Sequence, residues 1–355
     1  MGMKLYNLGK LPWDESQLIY HALAGLGREA LCLVSPSSHY VCIGFHQDLE
    51  QEVDLDFCRE RGIPVFRRDL GGGAVYLDGN QLFFQLILKR KSPLVPANKE
   101  AFYKKFLAPA IEVYRTIGIP AEYRPINDII AGTRKISGTG ASEIGECIVF
   151  VGNLIVDFDY ETMCRVLRVP DEKFRDKVQK TLKENLSTIR RELGECASEW
   201  PEPRLNRLMR QSFERLLGRM EPCGIDDELR ETMDKLRSRM LADEWLFQRG
   251  RRYPDGRDIK IRAGTNVIRR MHKAMGGLIR AEMQLSDGRL SGIHISGDFF
   301  CFPESGISQL ESYIEGLRLS DMQEALERFY GERKVETPGI EIRDWLEVLG
   351  VKEKK

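Results

Sequence analysis

The 355-residue sequence lacks the features that mark several large classes of protein. It has no net charge, because 54 lysines and arginines balance 54 aspartates and glutamates, so nothing indicates nucleic-acid binding through excess positive charge. Its longest apolar runs, at 82–88 and 147–151, are far too short to cross a bilayer. The N-terminus lacks the basic and then apolar run of a secretory signal. We therefore expect neither nucleic acid nor membrane as a partner.

Paired cysteines are also missing. The eight cysteines are scattered without a CxxC pair, a spacing that favours reduced thiols over a disulfide framework or a zinc site. The composition, with 42% hydrophobic and 30% charged residues, is ordinary for a chain that buries a sizeable core. Since domains commonly contain ~100–200 residues, the sequence predicts a cytoplasmic protein of about two domains.

Secondary-structure patterns divide the chain near the turn Pro222-Cys223-Gly224. Before it, helices are predicted at Asp14–Gly25, Lys99–Ile117 and Arg204–Leu217, with a loop over 193–205. Strands are predicted at Leu31–Val34, Tyr40–Ile43, Pro64–Arg67, Leu82–Leu88, Asp128–Ala131 and Ile148–Asp157. The predicted fold class is α+β: an N-terminal domain with a mixed or antiparallel sheet packed with helices, and a small α/β C-terminal accessory domain. The turn at 286–289 predicts a hairpin in the second domain.

A glycine-rich segment carries the densest chemical signal. It comprises Arg67, Arg68, Asp69, Leu70, Gly71, Gly72, Gly73, Ala74, Val75 and Tyr76, followed by Asp78, Gly79 and Asn80. Consecutive glycines permit positive φ and close approach, and their N–H groups can cradle an anion. The two arginines add permanently charged donors. The alternative is a flexible hairpin turn with a solvated arginine pair, and the absence of a following Gly-Lys-Ser/Thr excludes a P-loop.

A second cluster combines Asn127 and Asp128 with the run from Arg134 through Lys135 to Gly138. A lysine on a short strand beside small residues can present its ammonium to an anion and stabilise the charge that develops in acyl or phosphoryl transfer. Asp128 is a candidate Mg²⁺ ligand, because Mg²⁺ prefers one or two carboxylates together with substrate phosphates. The alternative is a surface hairpin whose lysine and aspartate are merely exposed.

Together the two clusters resemble the lipoate–protein ligase family of the biotin/lipoate protein ligase superfamily. The order Arg-Arg-x-x-Gly-Gly-Gly-Ala-Val-Tyr, Asn-Asp, Lys-Ile-Ser-Gly and Gly-Asn-Leu-Ile-Val-Asp fits over roughly the first 190 residues, and residues 243–302 resemble the family's accessory domain. The resemblance implies the full-length form, with a catalytic lipoate- and ATP-binding domain at 1–222 and the accessory domain at 223–355. Leu77 stands where the family usually has His, and Gly79 alone fills a two-residue gap.

The resemblance implies an enzyme that uses ATP to attach lipoate to a carrier lysine through lipoyl-AMP. Lys135 is then the catalytic residue, holding the lipoyl carboxylate and next the adenylate, and Mg²⁺ accompanies ATP with Asp128 as its ligand. The implied substrate and nucleotide contacts come from Arg68, Gly71, Gly72, Gly73, Ala74, Val75, Tyr76, Asn80, Asn127, Asp128, Lys135, Ser137 and Gly138. The implied partner is a lipoyl carrier: a glycine-cleavage H-like protein, a dehydrogenase E2 domain or a dedicated lipoate-binding protein. The basic residues Arg249, Arg251 and Arg252 are a candidate docking patch for an acidic carrier.

Two other functions stay open at this point. An octanoyl- or lipoyltransferase of the same superfamily uses a cysteine acyl-enzyme and no ATP. The thiol that it needs shortly before the Lys-x-x-Gly motif is missing, and Cys147 lies in an apolar run typical of a buried, inert thiol. The second is a non-enzymatic lipoate- or nucleotide-binding protein. Loss of catalysis would predict substitution of Lys135 or of the glycine segment, and both are retained.

Overall fold

The structure is a computed structural model that describes residues 2–96, 98–169, 172–250, 260–262 and 265–351. The strands in chain order are β1 (Lys4–Leu11), β2 (Ala30–Pro36), β3 (Tyr40–Ile43), β4 (Val65–Arg67), β5 (Val75–Leu77), β6 (Gln81–Lys89), β7 (Ala121–Arg124), β8 (Asp128–Ala131), β9 (Arg134–Ser137), β10 (Thr139–Ile144), β11 (Cys147–Ile155), β12 (Glu221–Pro222), β13 (Lys260–Arg262), β14 (Thr265–Ala274), β15 (Gly277–Ser286) and β16 (Arg289–Gly297). The helices are α1 (Glu15–Gly25), α2 (Leu49–Glu52), α3 (Leu55–Glu60), α4 (Lys99–Thr116), α5 (Tyr160–Val166), α6 (Glu172–Asn185), α7 (Ile189–Leu193), α8 (Glu202–Leu217), α9 (Asp227–Met240), α10 (Asp243–Leu246), α11 (Gly306–Ile314), α12 (Met322–Glu332) and α13 (Ile342–Leu349). Two 3₁₀ segments lie at Gly194–Glu199 and Leu319–Asp321.

The chain divides into two compact units, each built from separate stretches of sequence. Unit 1 contains Met1–Cys42, Val53–Phe66 and Val75–Ala242. Unit 2 contains Ile43–Glu52, Arg67–Ala74 and Asp243–Lys355. Two short stretches of the N-terminal half, including most of the glycine-rich segment, therefore belong to the C-terminal unit.

A mixed six-stranded sheet in the order β10-β11-β6-β2-β1-β12 forms the centre of unit 1. β1 runs parallel to β2 and β12, and the other neighbours are antiparallel. Every residue of α1 from Ser16 to Ala24 is buried, so this helix is covered on all sides. Aromatic side chains fill the core beside the sheet: the ring of Phe84 lies 5.9 Å from those of Phe150 and Phe213. Burial of such large apolar side chains is the main stabilising contribution.

A small antiparallel sheet, β7-β8-β9, is the second structural layer of unit 1 that bears on function. β8 and β9 form a tight hairpin whose turn contains Gly132 at φ +60°. The hydroxyl of Tyr114 on α4 donates to the carbonyl of Ile136 on β9 at 2.7 Å and accepts from the N–H of Ile155 on β11 at 3.2 Å. This buried hydroxyl fixes the small sheet relative to the large one.

Unit 2 contains the antiparallel sheet β13-β14-β15-β16, covered on one face by α11, α12 and α13. Its core consists mainly of large apolar side chains, among them Ile279, Met283, Ile295, Phe299, Ile307, Leu310, Phe329 and Trp345. The hairpin predicted at 286–289 is present, because Ser286 pairs with Arg289. None of the helices in the described ranges is both long and apolar enough to span a bilayer.

The α+β fold class is confirmed, and the predicted helices and strands agree with the observed ones within a few residues. The elements additional to the prediction include β1, β7, β10, β14, α2, α3, α7 and α13. The loop expected over 193–205 is wrong, since it contains a 3₁₀ segment and the first turn of α8, where Pro203 is tolerated because early helical N–H groups have no intrahelical partner.

The division of the chain also differs from the expected boundary between residues 222 and 223. Residues 223–242 belong to unit 1, because α9 buries Leu229 and Met233 there and its Arg237 forms an ion pair with Asp14 at 2.6 Å. Asp226, which caps α9, accepts a hydrogen bond from Arg28 at 2.6 Å. The proline- and glycine-containing turn at 222–224 therefore lies inside unit 1.

Candidate active site

Lys135 on β9 is the best-defined functional candidate in unit 1. Its Nζ lies 2.7 Å from Oδ1 of Asp128, and Arg124 donates to Oδ2 of the same carboxylate at 2.8 Å. The side chain of Lys135 is 35% exposed and that of Asp128 is 20% exposed. The ammonium is therefore held by a more deeply placed carboxylate and stays accessible from solvent.

Two opposing effects act on the Asp128 carboxyl. Partial burial acts to raise its pKa, but the Lys135 ammonium and the Arg124 guanidinium favour the charged form more strongly, so the pKa is lowered from its ordinary value. Asp128 is consequently ionised at neutral pH. Its carboxylate fixes the positions of the Lys135 ammonium and the Arg124 guanidinium. The sequence did not predict Arg124 as part of this cluster.

The other predicted residues of this cluster brace the backbone around Lys135. Asn127 donates through its amide nitrogen to the carbonyl of Thr139 at 2.7 Å, and the buried Ser137 hydroxyl donates to the carbonyl of Asn153 at 2.6 Å. The Gly138 N–H donates to the Asn153 side-chain oxygen at 2.8 Å. Asn153 was absent from the predicted site, although the Gly-Asn pair after an apolar run is the signal that could have identified it.

A magnesium ion does not fit at Asp128 in this arrangement. Both oxygens of the carboxylate are engaged by cationic side chains, so a metal ion there would displace an ion pair. The described part of the chain also contains no group of three or more His, Cys, Asp or Glu residues able to hold a metal. The expected role of Asp128 as a metal ligand is therefore replaced by that of an anchor for Lys135.

The glycine triplet lies in unit 2, where two of its members serve close packing. A Cβ on Gly71 would lie 2.4 Å from the carbonyl oxygen of Phe299. Gly72 adopts φ +91° and donates its N–H to the same carbonyl at 3.2 Å. Both glycines are buried, whereas Gly73 and Ala74 are partly exposed. Of these four residues, only Gly73 and Ala74 are therefore accessible from solvent.

The two arginines before the triplet have different environments. Arg68 donates through Nη2 to the carbonyls of Gly71 at 2.8 Å and Gly73 at 3.0 Å, so it braces the loop. Arg67 is fully buried, and its guanidinium donates to backbone carbonyls of Gly44, Phe45, Gln47 and Leu246 at 2.7–3.1 Å. The expectation that Arg67 faces an anionic ligand is wrong, because these carbonyls already satisfy its donors.

The predicted residues that follow the loop lie in unit 1. Val75 is at the surface, and Tyr76 is buried with its ring 6.2 Å from that of His39. Burial raises the pKa of Tyr76 to about 12, with a further contribution from nearby aspartates. Asn80 donates its N–H to Asp78 at 2.8 Å and accepts from the Val156 N–H at 2.9 Å, which fixes the turn before β6. The predicted site residues are therefore divided between the two units.

Residues 12–214 match the sequence model of the Lipoyl protein ligase A/B catalytic domain. This chain belongs to the lipoyl protein ligase A/B family. It is accordingly an enzyme that ligates lipoate to proteins.

Relatives of this ligase include both single-chain and divided proteins. It is 31% identical over 159 residues to lipoate–protein ligase A subunit 1 of Thermoplasma acidophilum, which covers 42% of this chain and 59% of the relative. Subunit 2 of the same organism's ligase is 40% identical over 79 residues, covering 22% of this chain and 83% of the relative. The octanoyltransferase LipM of Kyrpidia tusciae is 25% identical over 66% of this chain and 93% of its own length.

Solved structures support the same fold for the ligase. P. falciparum LipL1, determined in complex with lipoate, superposes with a TM-score of 0.70 at 16% identity and covers 98% of both chains. A lipoate–protein ligase A bound with ATP superposes with a TM-score of 0.55 at 20% identity, covering 70% of this chain and 99% of that one. At these identities the likeness concerns the fold.

Cys147, the thiol that the transferase alternative requires, is badly placed in this lipoyl protein ligase. It is buried at the first residue of β11, and burial raises the pKa of its thiol. Asn153, which pairs with Gly138, lies six residues further along the same strand, about 20 Å away at ~3.3 Å per residue. Cys147 is therefore a protonated core residue distant from the Lys135 cluster.

The prediction of an exposed basic patch at residues 249–252 is wrong for Arg249. Arg249 of the ligase is buried and forms an ion pair with Glu311 at 3.2 Å, so it is not a surface cation. It also donates to the Ser308 hydroxyl at 2.8 Å. Arg251 and Arg252 lie outside the described residues.

Proposed function

We propose that the ligase attaches lipoate in two ATP-dependent steps through lipoyl-AMP. In the first step a lipoate carboxylate oxygen attacks the α-phosphorus of ATP, and pyrophosphate leaves. In the second, the neutral amine of a carrier lysine attacks the acyl carbon, AMP leaves with the bonding electrons, and the amine loses its proton to solvent. The observation that carries this proposal is the solvent-accessible Lys135 ammonium fixed at 2.7 Å by Asp128.

A fixed cation suits both steps. Carboxylate and phosphate repel one another, and a positioned ammonium neutralises the charge that gathers as they approach. The Asp128 partner keeps the ammonium in place before substrate arrives, so little reorganisation is needed during the reaction. No nucleophile from the ligase itself enters either step, which agrees with the burial of Cys147.

Other groups are proposed to bind the nucleotide, the metal ion and the carrier. Arg68 with the Gly73–Ala74 backbone is proposed to contact nucleotide phosphates, and Mg²⁺ to be held by phosphate oxygens and water, since Asp128 does not fit it. The ATP-bound relative and the lipoate-bound LipL1 support these substrates. The carrier is proposed to be a lipoyl domain, of E2, H-like or dedicated type, in the cytoplasm. A Thermoplasma lipoate ligase was studied together with its E2 lipoyl domain.

The first prediction tests adenylation without a carrier. Purified protein with lipoate and ATP should release pyrophosphate and yield lipoyl hydroxamate when hydroxylamine is added. Lys135→Ala should reduce that rate by about 100-fold or more, the usual effect of removing one preorganised charged group. Lys135→Arg should retain part of the rate. Unchanged thermal stability of both variants would assign the loss to chemistry.

A control substitution at a second lysine and a test of Cys147 complete this experiment. Lys105, which is partly buried and donates to the Leu94 carbonyl at 2.7 Å, provides the control, and Lys105→Ala should keep the wild-type rate. Wild-type rates in Lys135→Ala would contradict the proposal. Acyl transfer from an octanoyl carrier that proceeds without ATP and disappears in Cys147→Ser would establish the transferase instead.

A further inference from the structure

Helix α6 is unusually exposed for its length. Of its residues 174–185, none is buried, although a surface helix commonly buries a continuous apolar stripe. Phe174 is 50% exposed, while Val178 and Leu182 are partly buried one and two turns further on. Phe174 thus places an exposed aromatic ring on a helix with no buried residue among 174–185.

The exposed side of α6 is also basic. Phe174, Lys177 and Lys180 follow one another at spacings of three, so they are neighbours on the helix surface, and we call them the α6 patch. The ammonium of Lys177 lies 5.9 Å from the centre of the Phe174 ring. Residues 174–185 contain four basic side chains against the carboxylates of Asp176 and Glu184. The patch thus combines an aromatic anchor with positive charge.

The end of α6 is attached to the strand that carries Lys135. Leu186, the residue after the helix, forms a parallel bridge with Lys135, and the Ser187 N–H donates to the Lys135 carbonyl at 2.8 Å. The Leu186 carbonyl accepts hydrogen bonds from Arg191 at 2.9 Å and from Tyr160 at 3.2 Å. These bonds fix the C-terminal end of the helix beside the strand that carries the candidate catalytic lysine.

We infer that the α6 patch is the docking surface for the lipoyl carrier, and that it selects an acidic domain with an apolar spot near its target lysine. The inference rests on the proposed function, because a domain that delivers a lysine to an adenylate held by Lys135 must cover neighbouring surface. Positive charge on this patch accelerates encounter with a negatively charged domain, and Phe174 supplies the desolvated contact.

The second prediction separates docking from chemistry. Phe174→Ser and the double variant Lys177→Glu/Lys180→Glu are compared with wild type, using the apo-carrier that wild type modifies fastest. Carrier-independent lipoyl-AMP formation should stay within about twofold of wild type, because no group of the adenylation chemistry is altered. The KM for the carrier should rise about tenfold or more, the effect of losing roughly 1.4 kcal/mol of binding free energy. In wild type, added salt should raise this KM as well.

The chain offers a matched charge control on another helix. Lys235 on α9 is 74% exposed and pairs with a glutamate four residues away, as does Lys180, which is 76% exposed. Lys235→Glu should leave the KM for the carrier at its wild-type value. A carrier KM that stays unchanged in the α6 variants, or that rises equally in Lys235→Glu, would overturn the docking inference. Loss of self-association in the α6 variants would identify a second copy of the chain as the occupant and would overturn it too.

The two failures can be distinguished. If wild type forms no lipoyl-AMP, the proposed function fails, whatever the α6 variants do. If wild type forms lipoyl-AMP and modifies the carrier, but the α6 variants keep the wild-type KM for the carrier, the docking inference alone fails. Supplying chemically prepared lipoyl-AMP to each variant isolates the transfer step and gives the carrier KM directly.

Discussion

His46 is a buried histidine that the proposed chemistry does not use. Its ring stacks on Phe299 at 5.0 Å between ring centres, and its carbonyl accepts from the Gly297 N–H at 2.9 Å. Its Nδ1 has no hydrogen-bond partner among the described residues. Burial first, and then the positive charges of Arg249 and Arg67, lower the pKa of His46 well below its ordinary value. The imidazole is therefore neutral in the folded protein at physiological pH.

The third prediction follows from this neutral histidine. In the unfolded chain His46 takes up a proton near pH 6.5, whereas in the folded protein it does not, so its contribution to stability is present above about pH 6.5 and is lost as the pH falls below it. The loss should approach about 1 kcal/mol per pH unit in that window. Thermal unfolding between pH 8 and pH 5.5 should show a steeper fall for wild type than for His46→Gln. Parallel curves for the two proteins would refute it.

For individual residues, the sequence predicted which side chains cluster better than it predicted how each one is buried and bonded. Lys135 and Asp128 form the expected cluster, whose lysine is accessible. Arg67 and Arg68 are adjacent and chemically identical, yet one is buried among carbonyls and the other braces the loop. Nothing in a dipeptide distinguishes them, because the carbonyls that surround Arg67 include that of Leu246. The buried arginine could be recognised only from tertiary structure.

At the scale of elements, the contact between β11 and β6 has a specific steric requirement. Gly152 pairs with Phe84 across the two strands, and a Cβ on Gly152 would lie 2.2 Å from the Phe84 ring. The ring is fully buried and packs against Phe150 and Phe213, so it has little room to move. Position 152 therefore requires glycine, because a side chain there would collide with the Phe84 ring of the neighbouring strand.

The fourth prediction is that Gly152→Ala destabilises the protein by about 1–3 kcal/mol, the usual cost of overpacking a core. Chemical denaturation monitored by circular dichroism would measure the change in unfolding free energy. Gly331→Ala on α12, where a Cβ meets nothing within 4 Å, should be neutral or stabilising because alanine favours the helix. Phe84→Leu should cost less in the Gly152→Ala background than alone. Additive effects of the two substitutions would contradict a direct steric contact.

Two of the strands that the sequence did not predict, β1 and β14, have weak periodic patterns. β14 contains Arg269, Arg270 and Lys273 together with Met271, which is 70% exposed, so alternation between apolar and polar residues is obscured. β1 contains Gly9 at φ +60° and shifts register there against β2. By contrast, β6 and β11 are nearly continuous apolar runs bounded by turns and were predicted within two residues. Strands covered on both faces are the ones that composition alone reveals.

At the scale of the whole molecule, unit 2 depends on residues from both halves of the chain. The Gly72 N–H donates to Phe299, the Trp245 indole donates to the Arg67 carbonyl at 2.9 Å, and Arg280 forms an ion pair with Glu52. The predicted boundary after residue 222 overlooked this arrangement, because a linear reading assigns each domain one continuous stretch. The stretches Ile43–Glu52 and Arg67–Ala74 are only 10 and 8 residues long, so amino-acid composition does not reveal that they belong to unit 2.

The fifth prediction concerns a fragment of residues 1–242. Amide hydrogen exchange of peptides covering 43–52 and 67–74 should become much faster than in the full chain, because their partners beyond residue 242 are removed. Peptides covering β6 should keep their protection, since their partners β2 and β11 are retained. Equal exchange of the 67–74 peptide in fragment and full chain would show that the loop is ordered without the C-terminal residues.

The packing of Gly71 and Gly72 against Phe299 has a consequence for dividing this protein. These contacts are non-covalent, so cutting the chain after Ala242 converts loop formation from an intramolecular event into an association between two polypeptides. The fraction of ordered loop then depends on the concentration of the second polypeptide, and saturates only above its dissociation constant. In a single covalent chain the loop is therefore ordered at any protein concentration. In a two-subunit version it would be ordered only when the concentrations of the subunits exceed their dissociation constant.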